Sequence, residues 1–253
     1  MNTDTKLSAP AESASDISPR DASNWAQPVD RLALGQVPKE AVNINVKGRA
    51  LTGPQQGFGQ MWQKTYKVRL AGADCSPEEV IRVWKENFPS FWPEYNKFYG
   101  PQSGIRPGEV ALINTLGPAD SPLMSTGVMV IYADEVSFTF MTPEGHPFSG
   151  WVTFSSYVEE ESTVAQAQVL IRATDPLYEL GFRLGFMHKG EDRIWHHTLL
   201  ALSDYFRVEG SVQQSVSLVD PRVQWSKAGN VWKNSGIRTM LYTPIALARR
   251  LAR

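Results

Sequence analysis

Five consecutive segments of residues 109–173 alternate apolar and polar side chains with a period of two. Short turns rich in Gly, Pro, Asp or Glu join the segments, which read EVALINTL, TGVMVIYA, VSFTFM, GWVTFSSYV and TVAQAQVLIRA. This alternation is typical of β-strands, and short connections favour antiparallel pairing. Residues 128–131 are apolar on both faces, as a strand between a covered side and an enclosed interior requires. The chain is therefore predicted to form a curved antiparallel sheet.

A strand and a helix start precede this sheet. Apolar and polar residues alternate along residues 61–70, which predicts a strand with one mostly apolar face and one solvent-exposed face. The mostly apolar face consists of Trp62, Lys64, Tyr66, Val68 and Leu70. Ser76 and Glu79 then form a capping box, with Pro77 at the first helical position. We expect this helix to end at Pro89 and a second short helix to begin at Ser90.

A second cap-and-proline signal follows the predicted sheet. The run TDP at 174–176 begins a helical pattern that continues to about Arg207, with a break expected at Gly190. Asp192 and Arg193 would then open the last helix, where an acid favours the positive end of the helix dipole. The stripe predicted to face the sheet is Ile194, Trp195, Thr198, Leu199, Leu202, Tyr205 and Phe206.

The N-terminal part of the chain differs in composition from this middle. Residues 1–28 are rich in Ser, Ala, Asp and Pro, and they contain too little apolar surface to offset the entropy of ordering. We predict a disordered tail there, a transitional segment over 29–58 and a folded domain over 59–208. The alternating residues of the transitional segment suit a short strand: Val42, Ile44 and Val46.

The C-terminal extension, residues 209–253, is basic. Residues 211–253 contain seven Lys or Arg residues and one acid, Asp220, for a net charge of +6. The terminal TPIALARRLAR predicts a short amphipathic helix. Three interpretations stay open: a solvated tail, a contact with an acidic partner, or weak, salt-sensitive binding to an anionic membrane surface.

The order of elements resembles the helix-grip architecture of the START-like superfamily, also called SRPBCC, which includes birch-pollen-allergen-like proteins. The most specific local similarity is TPEGHPFSGWVTF at 142–154, which is similar to a G-H-P-x-x-G-x-x-x-F pattern in an uncharacterised bacterial and plant branch of that superfamily. The matching residues are Gly145, His146, Pro147, Gly150 and Phe154. The resemblance covers roughly residues 60–208. It implies an α+β helix-grip fold, in which a curved antiparallel sheet wraps around a long C-terminal helix and leaves a cavity.

A cavity in this fold implies binding of a hydrophobic small molecule such as a lipid, an isoprenoid or a polyketide-like compound, without catalysis. The density of aromatic residues agrees with such a pocket, although most of them are expected to be plain core. The candidate ligand-binding residues are Trp84, Trp92, Phe138, Phe140, Glu144, His146, Arg193, Trp195 and His196. We assign no catalytic residue, cofactor or metal.

Two polar features have alternative interpretations. Glu144 and His146 lie two residues apart in a loop, where they form either a rigid proline-flanked turn or an acid–base pair. If the loop folds over the mouth of the cavity, we expect them to act first as a gate or anchor and only second as catalysts. In an extended loop the two side chains would point the same way. Gln166, Gln168 and Arg172 alternate with apolar residues, so they are pocket anchors if they face inward and ordinary surface if they face outward.

Composition excludes several classes of function. A formal charge of −1 argues against nucleic-acid binding by the whole protein. One cysteine, Cys75, excludes an internal disulfide and a thiolate zinc site. Adjacent His196 and His197 diverge by about 100° around a helix, which disfavours a shared metal ion. The N-terminus has no apolar signal region and no apolar run suits a membrane span, so a cytoplasmic protein is expected.

Two further functions remain as alternatives to ligand binding. The first is an enzyme of cyclase or aromatase type, which shapes a reactive chain in the cavity and uses Glu144, His146 and His196 for proton transfer. The second is an interaction module that acts through its two tails. The first requires that the three side chains meet at the pocket.

Overall fold

The computed structural model describes residues 21–117 and 121–251, without the side chains of 245–251. Nine antiparallel strands form one curved sheet in the order β3-β4-β5-β6-β7-β8-β2-β9, and β1 pairs with the end of β6. The strands are β1 (Leu51–Thr52), β2 (Met61–Arg69), β3 (Asn96–Tyr99), β4 (Val110–Leu116), β5 (Pro122–Ala133), β6 (Ser137–Pro143), β7 (Phe148–Glu159), β8 (Ser162–Ala173) and β9 (Val212–Asp220). The five strands predicted over 109–173 are thereby confirmed as β4 to β8.

Helices cover the inner side of this sheet, which gives the α+β helix-grip fold. The helices are α1 (Pro77–Phe91), α2 (Pro176–Arg183), α3 (Phe186–Tyr205) and α4 (Ser235–Leu251), with 3-10 turns at Ala22–Asn24, Pro54–Gln56 and Trp225–Lys233. Helix α1 packs against β7 and α3, and α3 packs against β2 and β8. The apolar faces that the sequence predicts for the strands therefore meet the two helices in one core.

Both predicted helix starts are confirmed. The Ser76 Oγ accepts a hydrogen bond from the Glu79 N–H at 3.2 Å, directly before α1. Asp175 accepts hydrogen bonds from the N–H groups of Leu177 and Tyr178 at the start of α2. In both cases the cap satisfies backbone donors that have no partner inside the helix.

The helix after Ser76 is longer than predicted, and the second short helix is absent from this stretch. Helix α1 continues through Pro89 to Phe91. The last turn tolerates the proline because Phe88 and Phe91 are buried against the core. Residues 96–99 then form strand β3 instead of a helix, with Phe98 paired to Ile113 of β4.

The break in the C-terminal helical stretch lies at Gly185, not at Gly190. Gly185 has φ 83°, a left-handed conformation that glycine adopts without the steric cost of a side chain. Gly190 stays inside α3. Asp192 and Arg193 are therefore interior residues of the helix, and the capping role expected for Asp192 is wrong.

The segment before β2 is anchored to the outside of the sheet. Residues 44–46 form bends, and residues 42–43 have no regular structure, instead of the short strand expected there. Val46 is fully buried in a second, smaller core with Leu32, Leu112 and Met129. Residues 1–20 of the predicted tail lie outside the described chain, whereas the Ala26 N–H already donates to the Ile131 carbonyl of β5 at 2.9 Å.

The basic C-terminal extension is built into the fold. Strand β9 pairs with β2 over its whole length, and α4 packs against β5. Beneath the extension, the buried Arg172 guanidinium donates to the carbonyls of Gly59 (2.6 Å) and Arg222 (2.8 Å) and to Asp220 Oδ2 (2.5 Å). Helix α4 begins well before the predicted terminal helix and includes its residues 243–251. The apolar face predicted for that terminal helix lies outside the described side chains.

Candidate ligand-binding cavity

An internal cavity of about 250 Å³ lies between the sheet and the first half of α3. Its wall is formed mainly by aromatic and aliphatic side chains. The aromatic side chains are Trp92, Tyr95, Phe98, Phe140, Phe148, Trp151, Phe186 and Trp195, and the branched aliphatic ones are Ile113, Val128, Val152, Val169, Ile171 and Ile194. Tyr95 and Phe186 line the cavity and are also exposed to solvent, which places its mouth beside them.

The strand alternation explains why the wall is apolar. Val169 and Ile171 of β8 face the cavity, whereas Gln166 and Gln168 have the opposite parity and lie on the outer face of the strand. The Gln166 amide contacts Ser155 there, at 3.4 Å. The inward interpretation of this polar face is therefore wrong, and its amides are not anchors of the pocket.

Four of the nine candidate residues line the cavity: Trp92, Phe140, His146 and Trp195. Trp92 follows the end of α1, Phe140 comes from β6 and Trp195 from α3. The rings of Trp92 and Trp195 meet edge to face, with centroids 5.6 Å apart. Residues far apart in sequence thus form one continuous aromatic wall.

The other five candidates lie elsewhere. Trp84 and Phe138 are fully buried in the packed part of the core, with ring centroids 6.1 Å apart. Arg193 is exposed on α3, away from the cavity wall. His196 hydrogen-bonds to Gln214 of β9 at 3.2 Å. Glu144, the fifth candidate, points toward the C-terminal extension.

The loop between β6 and β7 separates its two polar side chains. It is a turn and not an extended segment, so the expectation that Glu144 and His146 point the same way is wrong. Glu144 forms an ion pair with Lys233 at 2.5 Å and a longer one with Arg31 at 3.6 Å. Gly145, which lies between Glu144 and His146, has φ 84°, and a Cβ there would lie 2.0 Å from the Lys233 carbonyl oxygen.

Electrostatics distinguish the two residues further. Burial alone would raise the pKa of Glu144, but the hydrogen bond and charge of Lys233, together with the Ala50 backbone and the charge of Arg31, outweigh it, so the pKa is lowered. Burial lowers the pKa of His146 to about 4, so its imidazole is neutral near pH 7. The His146 Nδ1 lies 3.0 Å from the Phe148 backbone nitrogen, which fixes the ring in the cavity wall.

The three residues of the cyclase-type alternative do not meet at the cavity. His146 lines it, Glu144 is bound to Lys233, and His196, which is not part of the cavity wall, is bound to Gln214 of β9. General acid–base catalysis requires the participating groups within hydrogen-bond reach of one reacting molecule. This set of residues therefore cannot act together on a molecule in the cavity.

A buried ionic cluster borders the cavity and was not anticipated from the sequence. Lys64 of β2 contacts Glu191 at 2.8 Å and Asp192 at 2.7 Å, and the Tyr66 hydroxyl donates to Asp192 at 2.6 Å. The side chains of Lys64 and Glu191 are each only 1% exposed. Glu191 also lines the cavity. The sequence signal was present, because Lys64 is the one charged residue on the apolar face of its strand.

The cluster shifts the pKa of its acids in opposite directions. Burial raises the pKa of Glu191, and the neighbouring Lys64 ammonium only partly offsets this effect. For Asp192, burial also acts to raise the pKa, but hydrogen bonds from Lys64 and Tyr66 lower it overall. The cluster thus ties α3 to β2 through one buried cation that two carboxylates share.

Within residues 21–117 and 121–251, no three His, Cys, Asp or Glu side chains are grouped so that they would hold a metal ion. None of the helices in these same ranges combines the length and the apolar character that crossing a bilayer demands.

Comparison with known proteins finds similarity only among solved structures. Neither a protein-family model nor a curated protein matches the chain. Protein Ms6760 from Mycobacterium smegmatis is 16% identical, with a TM-score of 0.38, over 56% of this chain and 92% of its own. The di-domain ARO/CYC StfQ from the steffimycin biosynthetic pathway is 12% identical, with a TM-score of 0.43, over 60% of this chain and 51% of its own.

Ara h 8.0201 is 10% identical, with a TM-score of 0.40, over 58% of this chain and 98% of its own. At such identities and TM-scores, none of these similarities carries an argument about ligand or reaction. The helix-grip fold rests on the topology described above, and membership of the bacterial and plant branch stays a prediction.

Proposed function

We propose that the protein binds an apolar small molecule in the cavity between the sheet and α3. The observation that carries the proposal is the combination of a volume of about 250 Å³ with a wall of aromatic and branched aliphatic side chains. Native cores are close-packed, and residual voids cost roughly 24 cal/mol per Å³. A void of this size is thus costly when empty, and a bound apolar molecule would recover the lost contacts.

The wall indicates the class of ligand. A dry cavity of about 150 Å³ lined by Leu, Ile and Phe accommodates benzene, so this larger cavity suits a compound of about two fused rings. The edges and faces of Trp92, Phe140 and Trp195 offer the geometry that aromatic rings prefer. Among the predicted classes, a compact isoprenoid or polyketide-like ring compound therefore fits better than a long acyl chain.

Calorimetric titration with naphthalene, together with the ligand-induced shift of the melting temperature, tests this proposal. Val152 lines the cavity from β7, whereas Val158 of the same strand is 62% exposed. We expect saturable binding by the native protein, at least a tenfold weaker affinity in V152F because the new ring occupies the cavity, and unchanged affinity in V158F.

Two results would contradict the proposal. One is the absence of both saturable binding and a thermal shift for any apolar probe. The other is equal affinity in V152F and V158F when both retain the native near-UV circular dichroism spectrum. Native mass spectrometry of the protein as purified adds an independent check, because a tightly held ligand would appear as a constant mass increment.

A further inference from the structure

The nine-stranded sheet ends in two edge strands that differ strongly. Strand β3 is only four residues long and carries the exposed Lys97. Strand β9 is nine residues long, and no charged residue occurs from Val212 to Val219. Natural sheets protect their edges with short strands, lysine, proline or a covering element. Strand β3 shows two of these protections, whereas β9 shows none of them and has only a bulge at Val219, next to its last residue.

Strand β9 also lies open to solvent. It pairs with β2 on one side, and within the described ranges no strand pairs with its other side. Residues 213–219 are all exposed. Three of them are apolar: Val216 is 49% exposed, Leu218 41% and Val219 47%. A row of backbone donors and acceptors thus stands beside exposed β-branched and aliphatic side chains.

The rest of the fold shows how such edges are covered elsewhere. Strand β5 extends beyond β6, and α4 lies against this extension. The Thr239 hydroxyl of α4 accepts from the Ser125 N–H at 3.0 Å, and the Thr243 hydroxyl donates to the Pro122 carbonyl at 3.4 Å. Further along β5, Trp25 forms a bridge to Tyr132. Among the described strands, β9 is therefore the one whose long free edge no other segment covers.

We propose that β9 pairs antiparallel with β9 of a second copy of this chain, so that two sheets join into one across a twofold axis. An antiparallel strand is complementary to itself, which is the isologous contact of a symmetric dimer. Nine residues supply about eight backbone hydrogen bonds. No like charges face each other within the strand, because it is uncharged from Val212 to Val219.

The charges at the two ends of β9 also favour pairing with a second copy of this chain. Glu209 precedes β9, whereas at the other end Arg222 (3.0 Å) and the buried Arg172 (2.5 Å) share the single carboxylate of Asp220, which leaves a net positive charge there. Antiparallel pairing places the first end of one strand beside the last end of the other. The acidic flank of each copy thus approaches the basic flank of its partner.

Sedimentation velocity of the full chain over a wide concentration range tests this dimer. A single strand pair makes a small interface, so we expect a monomer–dimer equilibrium in the micromolar range. Val216 is the central residue of β9, and replacing it by lysine or glutamate places like charges on both copies. We expect V216K and V216E each to be monomeric, and an equimolar mixture of the two to dimerise again. V158K, at an exposed site on β7, is the matched control and should dimerise like the native chain.

Each opposing result overturns the proposal. If the native chain stays monomeric at all concentrations, β9 does not pair with a second copy. Dimerisation of V216K equal to that of V158K places the contact elsewhere. If the native chain is monomeric and only removal of residues 1–20 produces a dimer, that N-terminal segment occupies the edge instead. Urea unfolding of V216K and V158K, with equal stabilities expected, shows that the charge acts on association and not on folding.

Discussion

The core under the sheet has a filled half and a hollow half. In the filled half, the Phe88 ring of α1 lies with its centroid 5.3 Å from Phe154 and 5.9 Å from Phe138, and all three residues are fully buried. In the hollow half, Phe140 and Trp195 face a cavity of about 250 Å³. Both halves are built from the same strands and the same residue types, so composition does not distinguish them.

The difference lies in what each helix presents to the sheet. Helix α1 sends Trp84 and Phe88 into the filled half. Helix α3 presents Gly190 to the hollow half, and a Cβ at that position would meet no atom within 4 Å. The next side chain, Glu191, is held against Lys64. The cavity therefore coincides with the point on α3 where Gly190 has no side chain and Glu191 is held by Lys64, whereas α1 contributes aromatic rings to the filled half.

The largest expected effect comes from emptying the filled half. Phe88→Ala removes a fully buried ring that contacts five other aromatic residues, so we expect a loss of about 3–5 kcal/mol in the free energy of unfolding. Phe186 lies at the mouth of the hollow half and is 59% exposed, so Phe186→Ala should lower the free energy of unfolding by less than about 1 kcal/mol. Urea unfolding measures both, and equal losses would show that the two halves are packed alike.

Removing the buried cation beside the cavity should cost slightly less. Lys64→Met leaves Glu191 without its partner in a buried site, so we expect a loss of roughly 3 kcal/mol. Lys67→Met is the matched control on the same strand. Because the Lys67 side chain is 35% exposed, this substitution should lower the free energy of unfolding by less than about 0.5 kcal/mol. If the two variants unfold at the same urea concentration, the cluster does not tie α3 to the sheet.

The neutral imidazole in the cavity wall makes stability depend on pH. The pKa of His146 falls from 6.5 in the unfolded chain to about 4 in the folded one, so its contribution is complete above pH 6.5 and is lost progressively as the pH falls toward 4. Between pH 7 and pH 5 we expect a loss of about 2 kcal/mol from this residue.

The His146→Gln variant isolates this contribution. We expect its stability to fall less between pH 7 and pH 5 than that of the native chain, by about 2 kcal/mol. His197→Gln, which replaces an exposed imidazole on α3, is the control. The same pH dependence in the native chain and in the His146 variant would mean that the ring is not held neutral in the wall.

The smallest effect should come from the glycine that leaves the cavity open. Gly190→Ala adds a methyl group to a helix interior where there is room for it, so we expect a gain of about 0.5–1 kcal/mol. Gly145→Ala is the opposite case, because that residue has φ 84° and no space, and it should be destabilising. Thermal unfolding of the two variants gives the comparison, and a loss in Gly190→Ala would show that the helix face is already filled.

The sequence predicts the scaffold well because local signals determine it. The period-two segments became β4 to β8, and the caps at Ser76 and Asp175 start helices as predicted. The sequence does not distinguish the filled half of the core from the hollow half. Phe138 and Phe140 share one face of β6, and alternation places both inside, but only the packing of α1 and α3 decides that the first is core and the second is cavity wall.

The remaining errors have similar physical origins. Gly185 and Gly190 look alike in sequence, and only the tertiary contacts of α2 and α3 select Gly185 for the left-handed turn. Strand β9 lies within the basic C-terminal extension, and adjacent like residues interrupt its alternation at Gln213–Gln214 and Leu218–Val219, so no strand is predicted there. Pairing with β2 is a long-range contact, and neither its register nor the buried Arg172 beneath it is visible in local patterns.

The most direct test of the hollow half is a crystal structure determined under xenon pressure. Xenon enters dry apolar cavities, and its electron density locates them without any assumption about the natural ligand. The structure described here predicts a xenon site in contact with Phe140, Ile171 and Trp195. A region filled by collapsed side chains or by hydrogen-bonded water, with no xenon between these residues, would contradict the cavity and the function proposed for it.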